Sequence, residues 1–221
     1  MPVVCIACGL AMKCVQYLFP TNVGEFGIYE YEMGITLGVA TAIDAIVTTA
    51  ISFVIPRLDA DFGETAGQRS LLGSVLFIGM LIGSVLGSPL GDIKGRKYPL
   101  FYATLIEGLF SILSALAPSI EMLIVCRFFS ALGVGASAPL ALTYWSEVIP
   151  QDVRGQQMIT ISLFWTFGAI FAAAVAWVVI PLDRHYGWRL YLALMGLPSF
   201  FCCVMVLLNT FHHLLYSAKV T

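Results

Sequence analysis

Read for hydrophobic and polar positions, the chain is a succession of long apolar stretches separated by short polar interruptions. The stretches run near 34–55, 71–90, 100–117, 120–144, 158–180 and 188–208, and none of Leu71 to Gly91 carries a charge. A lipid-spanning helix needs about 20 mainly apolar residues, so this pattern predicts six transmembrane helices in an all-α membrane protein. Pro56, Pro118, Pro150 and Pro181 fall after the first, third, fourth and fifth stretches, as turn formers between helices do. Three regions follow: a leader and first segment over 1–33, the six-helix bundle over 34–208, and a tail over 209–221. The leader is interrupted by Lys13 and lacks a basic region followed by a small-residue cleavage site, which favours an interfacial or poorly ordered leader over a signal peptide.

Composition agrees with this pattern. The 221 residues are 59% hydrophobic and 11% charged, with a mean hydropathy of +0.91, against roughly 25% charged for a soluble domain. A formal net charge of −2 leaves no basic footprint for nucleic acid. Cys126, Cys202 and Cys203 lie in apolar runs and read as small packing residues. The C-x-x-C of Cys5 and Cys8 has no companion pair, and His185, His212 and His213 have no ligand set, so no metal or other cofactor is expected. No phosphate-binding loop or nucleophile constellation points to an enzyme or an ATP-driven pump.

The polar interruptions are unequal. The one after the second span carries Lys94, Arg96 and Lys97, whereas the one after the first holds Asp59, Asp61 and Glu64 against Arg57 and Arg69. The excess of basic residues in cytoplasmic loops then places the 92–97 loop, and with it both termini, in the cytoplasm.

That loop also has a definite order. Asp92, Gly95, Arg96 and Lys97 fit D-x-x-G-R-[RK], in which glycine serves a tight turn, Asp can cap a helix end and Arg can bridge to a carboxylate. Arg127 opens R-F-x-x-x-x-G-x-G with Gly133 and Gly135, and Tyr144, Glu147, Pro150, Arg154 and Gly155 fit Y-x-x-E-x-x-P-x-x-x-R-G. Over roughly 23–208 the chain resembles the N-terminal six-helix half of major facilitator superfamily transporters. The stretches FWTFG, with Trp165 and Gly168, and GWRLYLALMGLP, with Trp188, Arg189 and Pro198, are similar to its branch of synaptic vesicle glycoprotein 2-like, sugar and organic-ion transporters. Ser88 and Ala131 stand where that family commonly has glycine. Its members normally have twelve helices, and the acidic loop that often follows the sixth helix in sugar porters is missing here.

The resemblance implies two three-helix repeats and secondary transport of a small organic solute, with protons as the candidate coupling ion. It also implies a pairing of Asp44 in the first helix with Arg127 in the fourth. Asp44 is an ionisable group near mid-span, costly in lipid and therefore a functional candidate. It aligns with Thr41, Thr48 and Ser52 at helical spacing, and its depth, reckoned from the span ends, differs from that of Arg127 by well under 10 Å on a rise of about 1.5 Å per residue. Trp165 is a candidate lining residue. Glu107, aligned with Thr104, Ser111 and Ser114, reads mainly as a helix-pairing group. Asp92, Arg96, Glu147 and Arg154 are expected to form a network tying the second to fifth helices, with Gly95 and Lys97 shaping its loop. The repeated small residues at Gly79, Gly83 and Gly87, and at Gly168, Ala172 and Ala176, suit close helix packing. With six helices alone, the stripe of Thr41, Asp44 and Thr48 would face lipid unless a second six-helix half, a homodimer or another membrane subunit covered it against the first and fourth helices. The alternative is a non-transporting truncated paralogue or a structural or regulatory membrane subunit.

Overall fold

The computed structural model describes residues 28–62, 66–151, 154–181 and 186–220. Most of the leader, the Cys5–Cys8 pair and His185 therefore lie outside the described residues. Among the described residues six helices follow one another: α1 (Ile28–Phe62), α2 (Ala66–Lys94), α3 (Lys97–Ala115), α4 (Ile120–Val148), α5 (Arg154–Val179) and α6 (Gly187–Val220). Each contains a segment long and apolar enough to cross a membrane, and the chain is an all-helical, multi-pass integral membrane protein.

The helix boundaries follow local chemistry. Gly95 adopts φ 82°, a left-handed conformation that glycine enters without steric cost, and so ends α2 before α3 begins. Ser119 caps α4, its hydroxyl accepting from the Met122 backbone N–H at 3.4 Å. Pro118, Pro150 and Pro181 fall between helices as expected. Pro56 does not: α1 continues through it to Phe62, and Pro89, Pro139 and Pro198 likewise lie inside helices. Neighbouring helices and side-chain hydroxyls can satisfy the backbone groups that proline frees in such a bundle. Residues 209–220 continue α6, because NTFHHLLYSAKV holds neither glycine nor proline to stop it.

Packing follows a pseudo-twofold exchange of α1 with α4, α2 with α5 and α3 with α6. Under that exchange the close pair α2–α4 becomes α5–α1, and α3–α4 becomes α6–α1, while α3–α6 maps onto itself; all of these pairs pack extensively. The two stripes of small residues occupy equivalent places. A Cβ built on Gly79 would lie 2.7 Å from the Phe128 carbonyl and one on Gly87 2.8 Å from Ala136 Cα, both on α4, while one on Gly168 of α5 would run into the Ala42 carbonyl of α1. Backbone approach this close is what small residues permit between membrane helices.

The apolar core falls into two clusters. Leu37, Ile43, Leu100, Leu140, Trp145 and Val206 belong to one, and Val54, Leu58, Leu72, Leu123, Trp188 and Tyr191 to the other. Between them along α1, α3, α4 and α6 lie fully buried polar residues, including Asp44, Glu107, Arg127, Ser130, Ser137 and Ser199.

Candidate functional site

Two groups of side chains stand out: this buried polar layer, and the charged end of the bundle at the α2–α3 turn.

In the polar layer, α1 presents Asp44 with no solvent exposure. Ser137 of α4 donates from Oγ to Asp44 Oδ1 at 2.6 Å. The Asp44 carboxyl also meets the Glu107 carboxyl of α3. No donor reaches Asp44 Oδ2 or either carboxyl oxygen of Glu107 among the described residues. The approach of α3 depends on Gly133 of α4, where a Cβ would lie 2.7 Å from the Ala103 carbonyl and 2.9 Å from Glu107 Cβ. Ser130 adds a bond across the same crossing, donating to the Glu107 backbone carbonyl at 3.3 Å. From α6, the Cys203 thiol lies 3.3 Å from Thr104 Oγ1. The polar stripe of Thr104, Glu107, Ser111 and Ser114 on α3 is wholly buried.

Arg127 is not the partner of Asp44. The guanidinium is fully buried, yet none of its three nitrogens finds an acceptor among the described residues, and the titratable groups it interacts with are Cys126 and Tyr191. The reason is depth. Ser137 marks the level of Asp44 on α4, and Arg127 lies ten residues earlier on that helix, about 15 Å along the axis at 1.5 Å per residue. Reckoning from the span ends underestimates that offset.

The expected stripe on α1 is also placed differently. Thr41 is buried and donates to the Gly38 carbonyl at 2.8 Å, Thr48 is half-buried and Ser52 exposed. The six helices cover Asp44 and Thr41 by themselves, because α1 and α4 are the most enclosed of the six, while α2 and α5 show most of their apolar surface to the outside. Trp165 of α5 is 36% exposed and is not among the side chains that meet Asp44.

At the charged end, Arg96 is the hub. Its NH2 nitrogen lies 2.9 Å from Asp92 Oδ1 and 2.8 Å from Glu147 Oε1, and its NH1 donates to Thr143 Oγ1 at 2.9 Å. One guanidinium thus joins the end of α2 and the start of α3 to the end of α4, in the forked geometry that suits Arg. Asp92 serves as an ion-pair partner rather than a helix cap. Lys97 and Tyr144 line an open cleft of about 490 Å³ beside this group, together with Gly91 and Gly95. Arg154 is exposed on α5 and joins neither carboxylate, so the network ties α2, α3 and α4 but not α5. Thr143 and Ser137 were not singled out in the sequence, although both lie inside the motif-bearing segment of α4.

Comparison with known proteins fits this geometry. The sequence profile of the sugar (and other) transporter family matches residues 21–212. Synaptic vesicle glycoprotein 2C of Mus musculus is 32% identical over 162 residues, 73% of this chain and 22% of that protein. Synaptic vesicle glycoprotein 2A of Homo sapiens is 28% identical over the same length and covers 21% of its own chain. Among solved structures, the E. coli xylose transporter in a partially occluded inward-open conformation superposes with a TM-score of 0.75 at 18% identity, over 80% of this chain and 49% of that one. A bacterial homologue of the human lysosomal transporter Spinster gives 0.75 at 18%, over 83% and 43%. The chain thus spans about half the length of the solved transporters and a smaller share of the curated relatives. With the six spans, the two-repeat packing and the matched profile together, the chain belongs to the sugar (and other) transporter family of the major facilitator superfamily and has the fold of one six-helix half.

Proposed function

We propose that this chain forms one half of a secondary transporter for a small organic solute, with protons as the coupling ion. The observation that carries the reading is the set of fully buried ionisable groups, Asp44, Glu107 and Arg127, within a bundle of the transporter family. Ionisable side chains at membrane depth are rare and mark substrate, ion or proton pathways. A relative with the same fold is a proton:xylose symporter, which favours proton coupling. The basic residues of the 92–97 loop support a cytoplasmic location for that end of the bundle and for both termini. The Arg96 group then acts as a cytoplasmic latch, holding α2, α3 and α4 together while the solute site opens to the other side.

Alternating access in this architecture moves one helical bundle against another about a site near the bilayer midplane. A single six-helix half supplies one wall of such a site. The working unit therefore includes a second half, a second copy or another membrane subunit, and Trp165 on the outward side of α5 is available to it.

The test is to reconstitute the purified chain in liposomes, determine its mass in the membrane, and measure uptake of candidate solutes driven by a proton gradient. Uptake only by an assembly larger than a monomer is expected. Robust uptake by a demonstrated monomer would overturn the partner requirement. A stable assembly without uptake of any solute would favour the non-transporting membrane subunit.

A further inference from the structure

We propose that Asp44 and Glu107 form a single proton-binding site, one proton held between the carboxyls of α1 and α3, with Arg127 outside it. Both side chains are fully enclosed, Ser137 and Gly133, one turn apart on α4, hold Asp44 and Glu107 at neighbouring levels, and the two carboxyls interact. Ser137 supplies one donor to Asp44 Oδ1, and three carboxyl oxygens of the pair are left without a donor among the described residues. Buried polar atoms in native structures are almost always hydrogen-bonded. Two acceptor-only carboxylates cannot satisfy one another, because an ionised carboxylate has no hydrogen to donate. A proton on either acid converts the contact into an O–H···O bond and removes the repulsion between like charges in a dry site, the situation of paired carboxylates that share a proton.

Among the described residues no cation takes the proton's place. The groups facing the pair among those residues are Ser137 from α4 and the thiols of Cys202 and Cys203 from α6, the Cys203 thiol in turn meeting Thr104 of α3. The thiols are neutral at ordinary pH, and among the described residues no titratable group of α2 or α5 takes part. Arg127 is the one buried cation of the layer among the described residues, and it sits ten residues from Ser137 along α4.

The site also has a mechanical consequence. α1 and α3 otherwise touch little, so the shared proton is one of their few direct links. With the proton present the two helices are joined; with it gone, two like charges face each other across that gap. Proton occupancy is thereby coupled to the separation of α1 from α3. The proposal deepens the reading of Asp44 as part of a proton pathway, but its test measures protonation rather than uptake, so either can fail alone.

The test is infrared difference spectroscopy on the full chain reconstituted in liposomes at neutral pH, comparing wild type with Asp44→Asn, Glu107→Gln and the double variant. The spectrum of wild type minus double variant should show the loss of one protonated carboxyl per chain, and each single variant should move or remove that band. A count of zero or two, or a single variant that leaves the band unchanged, would overturn the shared site. Should the variants fail to fold, the wild-type chain can be treated with dicyclohexylcarbodiimide, a lipophilic reagent selective for protonated carboxyls in apolar surroundings, and mapped by peptide mass spectrometry. One adduct per chain, on Asp44 or Glu107, is expected; adducts on both or on neither would refute the proposal.

Discussion

If Arg96 is the hub of the charged end, its two carboxylate partners must be redundant in a measurable way. Both Asp92 Oδ1 and Glu147 Oε1 address the same NH2 nitrogen, at 2.9 and 2.8 Å. Removing one leaves the other in place and relieves the repulsion between them. The side chains of Asp92 and Glu147 are 63% and 53% exposed, that of Arg96 only 18%. Exposed ion pairs contribute about 0.2–1 kcal/mol, so Asp92→Ala should cost about 0.3 and Glu147→Ala about 0.5 kcal/mol. With both gone, the poorly hydrated guanidinium keeps only Thr143, and because hydrogen bonds to charged groups contribute about 1.5–3 kcal/mol, the double variant should lose about 1.5 kcal/mol. The excess over the sum, about 0.7 kcal/mol, is larger than the 0.3–0.5 kcal/mol within which independent sites add. Reversible unfolding of the full chain in mixed detergent micelles, followed by far-ultraviolet circular dichroism, measures all four corners of the cycle. The excess should shrink when salt is raised to 1 M, where the screening length falls to about 3 Å. Additivity within error at low salt would show that Arg96 does not couple the two acids, and the latch assigned to this end would lose its basis.

Two further outcomes follow from the packing. Gly83→Val places a side chain against the Leu132 carbonyl of α4, a backbone atom that cannot rotate away, and should destabilise by about 1–3 kcal/mol as overpacking does; Gly73→Ala, whose Cβ meets nothing within 4 Å, should be neutral or slightly stabilising in the same unfolding assay. Ser137→Ala strips from Asp44 Oδ1 the one donor it has among the described residues and should cost about 1–3 kcal/mol, as unsatisfied buried acceptors do, with Ser137→Thr recovering most of the loss.

Much of this molecule is decided locally and can be read residue by residue. Six spans follow from hydropathy because the bilayer imposes one length on every helix and admits few alternatives to helix. The α2–α3 turn is legible because only glycine takes the φ of Gly95 without strain, and the link between Arg96 and Glu147 could be anticipated from two spaced motifs in adjacent loops. The positions of helix ends were less so: Pro56, a terminator in water, sits inside α1 because packed helices can satisfy the groups it frees.

Tertiary structure alone decided which buried acid meets which group. Asp44, Glu107 and Ser137 lie on three different helices, and their meeting depends on the axial register set by backbone crossings such as Gly133 against Ala103. That register leaves no periodic trace in the sequence. The same holds for the enclosed faces. In a soluble helix the polar side marks the outside, but lipid is as apolar as leucine, so the sequences of α2 and α5 look much like those of α1 and α4 while one pair is mostly exposed and the other mostly enclosed. Only the packed bundle separates them, and with them the shared carboxyl site from the guanidinium about 15 Å away along α4.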